Sequence, residues 1–213
     1  MATSPRIERI GTRAVFAEVR VGATKARPQG YPLWRPDELL LAGWDTVSGQ
    51  SSFGYTLTDY AEATNYKDLL LCIRSWQSGT DDRLGFVTVN GLSANYQQSY
   101  HVHRYSSVHG QSDYTGGSEF RFGGTGSTEA IGADSGEVMH ADIRFADWQD
   151  ASTGYIAMVG HMWGIIAAGS RGWDQWVSGY ISTTAAIASF LVAMESGATL
   201  SFDAALYGDK RIA

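Results

Sequence analysis

From Val138 the chain alternates with a period of two: Met139, Ala141, Ile143 and Phe145 are apolar, and His140, Asp142 and Arg144 between them are polar. Successive side chains of a strand point to opposite faces, so this phase sets one face on a core and leaves the other wet. The last segment repeats the device, with Leu200, Phe202, Ala204 and Leu206 against Ser201 and Asp203. Between Asp68 and Tyr96 lie two more short apolar runs, Leu69 to Ile73 and Leu84 to Val89, separated by a polar turn from Ser78 to Arg83 and closed by Asn90-Gly91. Two strands joined as a hairpin are the economical reading, and Asn-Gly predicts a tight turn because both residues tolerate positive φ.

The rest of the chain fits the same class. Charged residues make up 18 % and aromatics 12 %, beside 25 glycines, which suits short strands joined by tight turns. At 213 residues the chain fits one domain, or one domain with an arm, with a substantial core. No fixed-period repeat points to a propeller or solenoid. Strands without alternating helices predict an all-β antiparallel sandwich over residues 37–213. Thr183 to Met194, TTAAIASFLVAM, has the alanine content of a short helix, but a strand is favoured. Tyr155 to Ala168 and Tyr180 to Met194 fall short of the roughly 18 uninterrupted apolar residues of a membrane span, and His161, Ser182, Thr183 and Thr184 interrupt them. They read as core, so no membrane partner is expected. The N-terminus, MATSPRIERI, lacks the apolar stretch of a secretory signal. Cys72, the single cysteine, sits inside an apolar run and reads as a buried thiol, which suits assembly in a reducing cytosol.

Residues 1–36 differ in kind. They hold all four prolines and seven basic residues, Arg6, Arg9, Arg13, Arg20, Lys25, Arg27 and Arg35, against Glu8 and Glu18. That is a net of +5, so the remainder carries −11 of the total −6. Proline removes backbone donors and fixes φ, which predicts an extended arm interrupted by one strand from Arg13 to Val21. A basic arm on an acidic body docks on a neighbour's acidic surface or folds back on its own domain. Seven scattered charges without interleaved aromatics are a weak nucleic-acid footprint, and no nucleic acid is expected.

Residues with chemical potential are few. His101 and His103 are two apart, so on a strand both face the same way and are candidates for a metal shared across a symmetry axis; exposed strand histidines at a subunit contact are the plainer reading. Asp81 and Asp82 offer calcium two hard oxygens, but the D-x-D-x-D-G pattern is missing and Asp is common at turns. The glycine-rich stretch Gly110 to Gly136 lacks the Gly-Lys-Ser/Thr of a phosphate loop and reads as loop or hairpin. No carboxylate pair among Glu137, Asp142, Asp147 and Asp150 is singled out for glycoside cleavage, no serine sits in a nucleophile elbow, and neither an enzyme nor a cofactor is expected. The 7 Trp and 11 Tyr are the more informative remainder. Trp148, Trp163, Trp173 and Trp176 are candidates for subunit packing or for sugar stacking, with core filling claiming some of them.

Several short motifs resemble a recurrent all-β module of tailed-bacteriophage virion proteins. Such modules carry a strand ending in Arg, a loop with Asp, a strand reading apolar-x-apolar-x-Asn-Gly, an Asn-Tyr pair and a final strand ending in Leu-Tyr-Gly. Here these are Arg74, Asp81-Asp82, Phe86 to Asn90 with Gly91, Asn95-Tyr96 and Leu206-Tyr207-Gly208. The resemblance implies a jelly-roll-like sandwich, a strand at Thr183 to Met194, and a final hairpin turning at Gly197-Ala198. It also implies a non-enzymatic structural role in the virion, assembled in the host cytoplasm: a capsid decoration or cement protein, or a head-fibre base. The expected partners are further copies of itself, a trimer matching capsid threefold positions, and the major capsid protein or other virion proteins. A tail, baseplate or receptor-binding component is the alternative within that class. A carbohydrate-binding module recognising host glycan is the alternative outside it.

Overall fold

The computed structural model describes residues 7–10, 13–16, 39–81, 83–104, 109–123, 131–133, 136–150, 152–166 and 171–211. Its strands are β1 (Ile7–Ile10), β2 (Arg13–Phe16), β3 (Leu39–Gln50), β4 (Ser52–Thr56), β5 (Tyr66–Ser78), β6 (Gly85–Val89), β7 (Tyr96–Arg104), β8 (His109–Gly117), β9 (Phe120–Phe122), β10 (Val138–Ala146), β11 (Tyr155–Ile166), β12 (Arg171–Ser182), β13 (Ser189–Met194) and β14 (Leu200–Arg211). Three short 3-10 turns are the only helical pieces among the described residues. Eight strands form one sheet in the order β3-β14-β5-β10-β11-β12-β7-β8, and four form a second in the order β4-β13-β6-β9. The strands of β1 and β2 pair as a separate ribbon, Ile7 opposite Phe16. All pairings are antiparallel.

The small sheet lies on one face of the large one, and the period-two phase read from the sequence decides which side chains meet between them. Met139, Ala141, Ile143 and Phe145 of β10 are buried, as are Leu200, Phe202, Ala204 and Leu206 of β14. They meet Val87, Val89, Phe190 and Val192 of the small sheet in one cluster. Rings of Tyr96, Phe120, Phe145 and Phe190 contact in sequence, at centroid separations of 4.9, 6.1 and 4.7 Å. Gly160 has its place here because a Cβ would come within 2.8 Å of the Phe122 ring.

Two expectations about connectivity do not hold. The runs around Leu71 and Val87 are strands, but they are not hairpin partners. Each is a central strand of its own sheet, β5 between β14 and β10, and β6 between β13 and β9. The polar turn between them carries the chain from one sheet to the other, fastened by Gly79 N–H to Thr199 O (2.8 Å) and by reciprocal bonds between Arg83 and Ile131. Gly197 is likewise in a turn, with φ of 57° and 70° at Ser196 and Gly197, but β13 and β14 lie in different sheets. A turn motif states that the chain reverses; it does not state which sheet receives the next strand. Thr183 to Met194 forms no helix. Thr183 to Ala188 is irregular and Ser189 onward is β13.

The motif residues are joints of this frame. Asn90 and Gly91 take φ of 54° and 64°, and Leu92 N–H closes the turn on Val89 O at 2.9 Å. The Asn90 side chain then accepts from Ala188 N–H (2.6 Å) and donates to Ala186 O (2.9 Å), holding the segment before β13. Tyr96, fully buried, accepts the Val89 N–H through its hydroxyl at 2.9 Å. Gly208 lies beneath the Tyr66 ring, where a Cβ would come within 2.4 Å. Cys72 is buried and forms no disulfide.

Two glutamines tie the sheets together. β9 pairs with β6 along one edge only. On its other edge Gln98 accepts from Arg121 N–H (2.7 Å) and donates to Arg121 O (3.1 Å), and Gln175 accepts from Gly123 N–H (2.9 Å) and donates to Gly123 O (3.0 Å). The side-chain amides, on inward positions of β7 and β12, imitate a neighbouring strand and satisfy buried backbone groups. Gln175→Leu keeps the volume but strands both Gly123 groups, so it is expected to cost about 2–4 kcal/mol, read as a lower urea midpoint. Gln97→Leu, at an outward position of β7, should change the midpoint little; an equal loss in both variants would remove the fastening role.

Candidate functional site

The outer face of the large sheet carries the most unusual chemistry. Its side chains are the odd members of β11 (Tyr155, Val159, His161, Trp163, Ile165) and the even members of β12 (Asp174, Trp176, Tyr180), beside His140 and Asp142 of β10 and His101 and His103 of β7. Two neighbouring cross-strand rows result: His140, Trp163, Asp174, His103, and Asp142, His161, Trp176, His101.

A β-bulge builds one end of the site. Met139 pairs with Trp76 and Ala141 with Ile73, so Arg74 and Ser75 together oppose His140. Ser75 absorbs the extra residue at φ 56°. Without it Trp76 would follow Arg74 onto the outer face; with it Trp76 reaches the core, fully buried, and Arg74 stays outside. The Arg74 guanidinium, 7 % exposed, donates to the Ile73 and Ala141 carbonyls at 2.8 and 3.0 Å and pairs with Asp142 at 2.7 Å. Its carbon lies 5.9 Å from the Trp44 ring centre and 5.0 Å from that of Trp163. Both are within the range of cation–π attraction, about 0.5–2 kcal/mol each.

The stacking continues through β11 to β12. His161 lies 4.8 Å from Trp163, tilted 26°, and 4.0 Å from Trp176, tilted 10°. Its Nε2 meets Asp174 Oδ1 at 2.5 Å. Read across the sheet, the order is Trp44, Arg74, Trp163, His161, Trp176: indoles alternate with nitrogen bases, and each base has its own carboxylate. An imidazole on a carboxylate is half of a general-base arrangement, but among the described residues the other His161 nitrogen has no hydrogen-bonded nucleophile.

His140 is differently placed. Its Nδ1 accepts the Ser75 N–H at 3.2 Å, which puts the ring proton on Nε2. Burial, and secondarily the nearby Arg74 charge, push its pKa below the ordinary 6.5. Beside it a shallow depression of about 520 Å³ is lined by Trp163, Ile165, Asp174 and His103 among others.

The sequence candidates divide as follows. Trp163 and Trp176 belong to this face. Trp148 and Trp173 do not: they are 5 % and 3 % exposed, and both are core residues. Trp173 is an odd number of positions from Trp176 and so takes the inner face of β12, while Trp148 donates its indole N–H to Tyr66 O at 2.9 Å. His101 and His103 are exposed on one face as their spacing requires, and they face Trp176 and Asp174. Asp81 accepts from Ala133 N–H at 3.2 Å, a long-range bond that ties its turn to a distant segment. Among the described residues no three His, Cys, Asp or Glu side chains are grouped to hold a metal ion. Arg9 and Arg13 lie in the β1–β2 ribbon; Arg6, Arg20, Lys25, Arg27, Arg35 and Asp82 lie outside the described residues. Sequence reasoning missed Arg74 as a stacking cation and missed His140 and His161, although the outward phase of His140 was legible. No described helix is long and apolar enough to cross a membrane. No family model matches the chain, and no curated protein and no solved structure is significantly similar to it.

A group whose folded pKa is depressed by keeping its neutral form stabilises the fold above its unfolded pKa and loses that contribution as pH falls below about 6.5. The His140 ring is therefore expected to titrate by NMR with a midpoint below 6.5, and the acid-side loss of thermal stability should shrink in His140→Gln. A midpoint at or above 6.5 would contradict the buried, amide-bonded neutral ring.

Proposed function

We propose that this chain is a non-enzymatic structural protein that works by docking, as an oligomer, through the outer face of its large sheet. The observation that carries the reading is the placement of exposed apolar side chains. Tyr155, Val159, Ile165, Trp176 and Tyr180 are 41–52 % exposed, and all five stand on the outer faces of β11 and β12. Scattered single exposures need no explanation, but a contiguous set on one sheet face is the signature of a protein contact. Aliphatic Val159 and Ile165 among the aromatics favour a dry protein partner. Four ionisable groups of the face are engaged in pairs, Arg74 with Asp142 and His161 with Asp174, which supports a recognition surface over a reactive one.

Within that class we place the chain as a virion surface component, a capsid decoration or head-fibre-base protein, on the strength of the motifs around Arg74, Asn90-Gly91, Asn95-Tyr96 and Leu206-Tyr207-Gly208. The compact sandwich and the basic N-terminal segment suit clamping of neighbouring subunits. A second reading, glycan recognition, is favoured by one specific feature: Tyr155 and Tyr180 form an exposed ring pair at 5.7 Å on the same face as Trp176. Exposed rings of this kind also serve as sugar platforms.

The two are separated by experiment. Val159→Glu should abolish self-association in sedimentation equilibrium and leave the melting temperature nearly unchanged, since the residue is half exposed. Labelled protein added to particles lacking it should decorate the head in electron micrographs, and a truncated chain beginning at Asp37 should not. Retention on a polysaccharide column, with no particle binding and no self-association, would overturn the structural reading in favour of the lectin.

A further inference from the structure

The stacked row on the outer face has an open end. Trp176 has the His161 imidazole parallel to one ring face at 4.0 Å, yet remains 49 % exposed. Its other face, on the side of His101 in β7, carries no stacked ring among the described residues. Elsewhere in the row, the indoles of Trp44 and Trp163 meet a guanidinium that is held by a carboxylate. The bare face of Trp176 repeats the same conditions. Asp174 stands two residues away on the same face of the sheet, its side chain 44 % exposed, with Oδ1 on His161 and, among the described residues, no bond to Oδ2.

An indole face beside a carboxylate selects a cation, and a planar guanidinium suits both at once, stacking on the ring while a nitrogen reaches the oxygen. The chain supplies such groups. Residues 1–36 carry six arginines and one lysine and a net of +5, against −11 on the remainder. Opposite charge on two parts of one chain sets the register of association between copies and speeds encounter. Resting on the docking reading above, we propose that the open face of Trp176, together with Asp174, receives an arginine side chain from the N-terminal segment of a second copy of this chain.

Sedimentation equilibrium of the full chain tests this with four proteins. They are the wild type, Trp176→Leu, an N-terminal variant carrying Arg6→Gln, Arg9→Gln, Arg13→Gln and Arg20→Gln, and the combination. Each single set is expected to weaken self-association by about tenfold, and the combination by little more than either, because the two sides of one contact are coupled. Asp174→Asn should reproduce the loss, and added salt should weaken the wild type more than Trp176→Leu. Circular dichroism confirms that each variant is folded. Unchanged association in the N-terminal variant, or losses that simply add, overturns the proposal while the docking face stands. A wild type that is monomeric at every concentration defeats the docking reading itself. Association intact in Trp176→Leu, with polysaccharide retention lost, overturns the proposal and assigns the ring to glycan.

Discussion

A guanidinium between two indoles organises the outer face of this protein. Arg74 takes the outer face by the phase of β5, and the bulge at Ser75 returns Trp76 to the core instead of letting it follow Arg74 outward. One inserted residue thus serves both faces of the sheet. It gives the core its largest fully buried side chain and leaves the outer face to a cation that donates to two carbonyls and is paired with Asp142. A buried charge without such partners would be strongly destabilising. With them, the cation becomes a spacer that holds Trp44 and Trp163 in place.

The two sheets are unequal, and their inequality explains the distribution of surface. Eight strands against four leave the large sheet covered on one face by the small one, and the small sheet has a short edge strand in β9. Gln98 and Gln175 complete that edge with amide groups drawn from the large sheet. The outer face has no such cover among the described residues of the small sheet. Its aromatic side chains are organised by stacking, and at Trp176 the stacking stops short.

Much of the fold was legible. The phase of β10 and β14, the absence of long helices among the described residues, the burial of Cys72 and the turn at Asn90-Gly91 all follow from local pattern. What failed was the assignment of neighbours. Leu69 to Ile73 and Leu84 to Val89 are adjacent in sequence and are buried strands, but pairing is decided by long-range packing that local pattern does not encode. The tryptophans show the same limit at smaller scale. Trp173 and Trp176 differ by three positions and so face opposite ways, a distinction the period-two rule supplies only once the strand from Arg171 to Ser182 is fixed. Gln175 carried a signal in that strand, a polar residue between Trp173 and Val177 on the inward phase. His161 carried half a signal: Trp163, two positions on in the same strand, shares its face, but Trp176 and Asp174 come from β12 and its own strand does not foretell them.

The docking account joins these observations: a rigid frame turns one face to the core and leaves the other with stacked rings, paired charges and exposed apolar groups. Hydroxyl-radical footprinting at rising protein concentration tests that account most directly. It predicts that Tyr155, Trp176 and Tyr180 become protected together as copies associate, while Leu191, exposed on the small sheet, keeps its reactivity. Association with unchanged labelling of those three rings would contradict it.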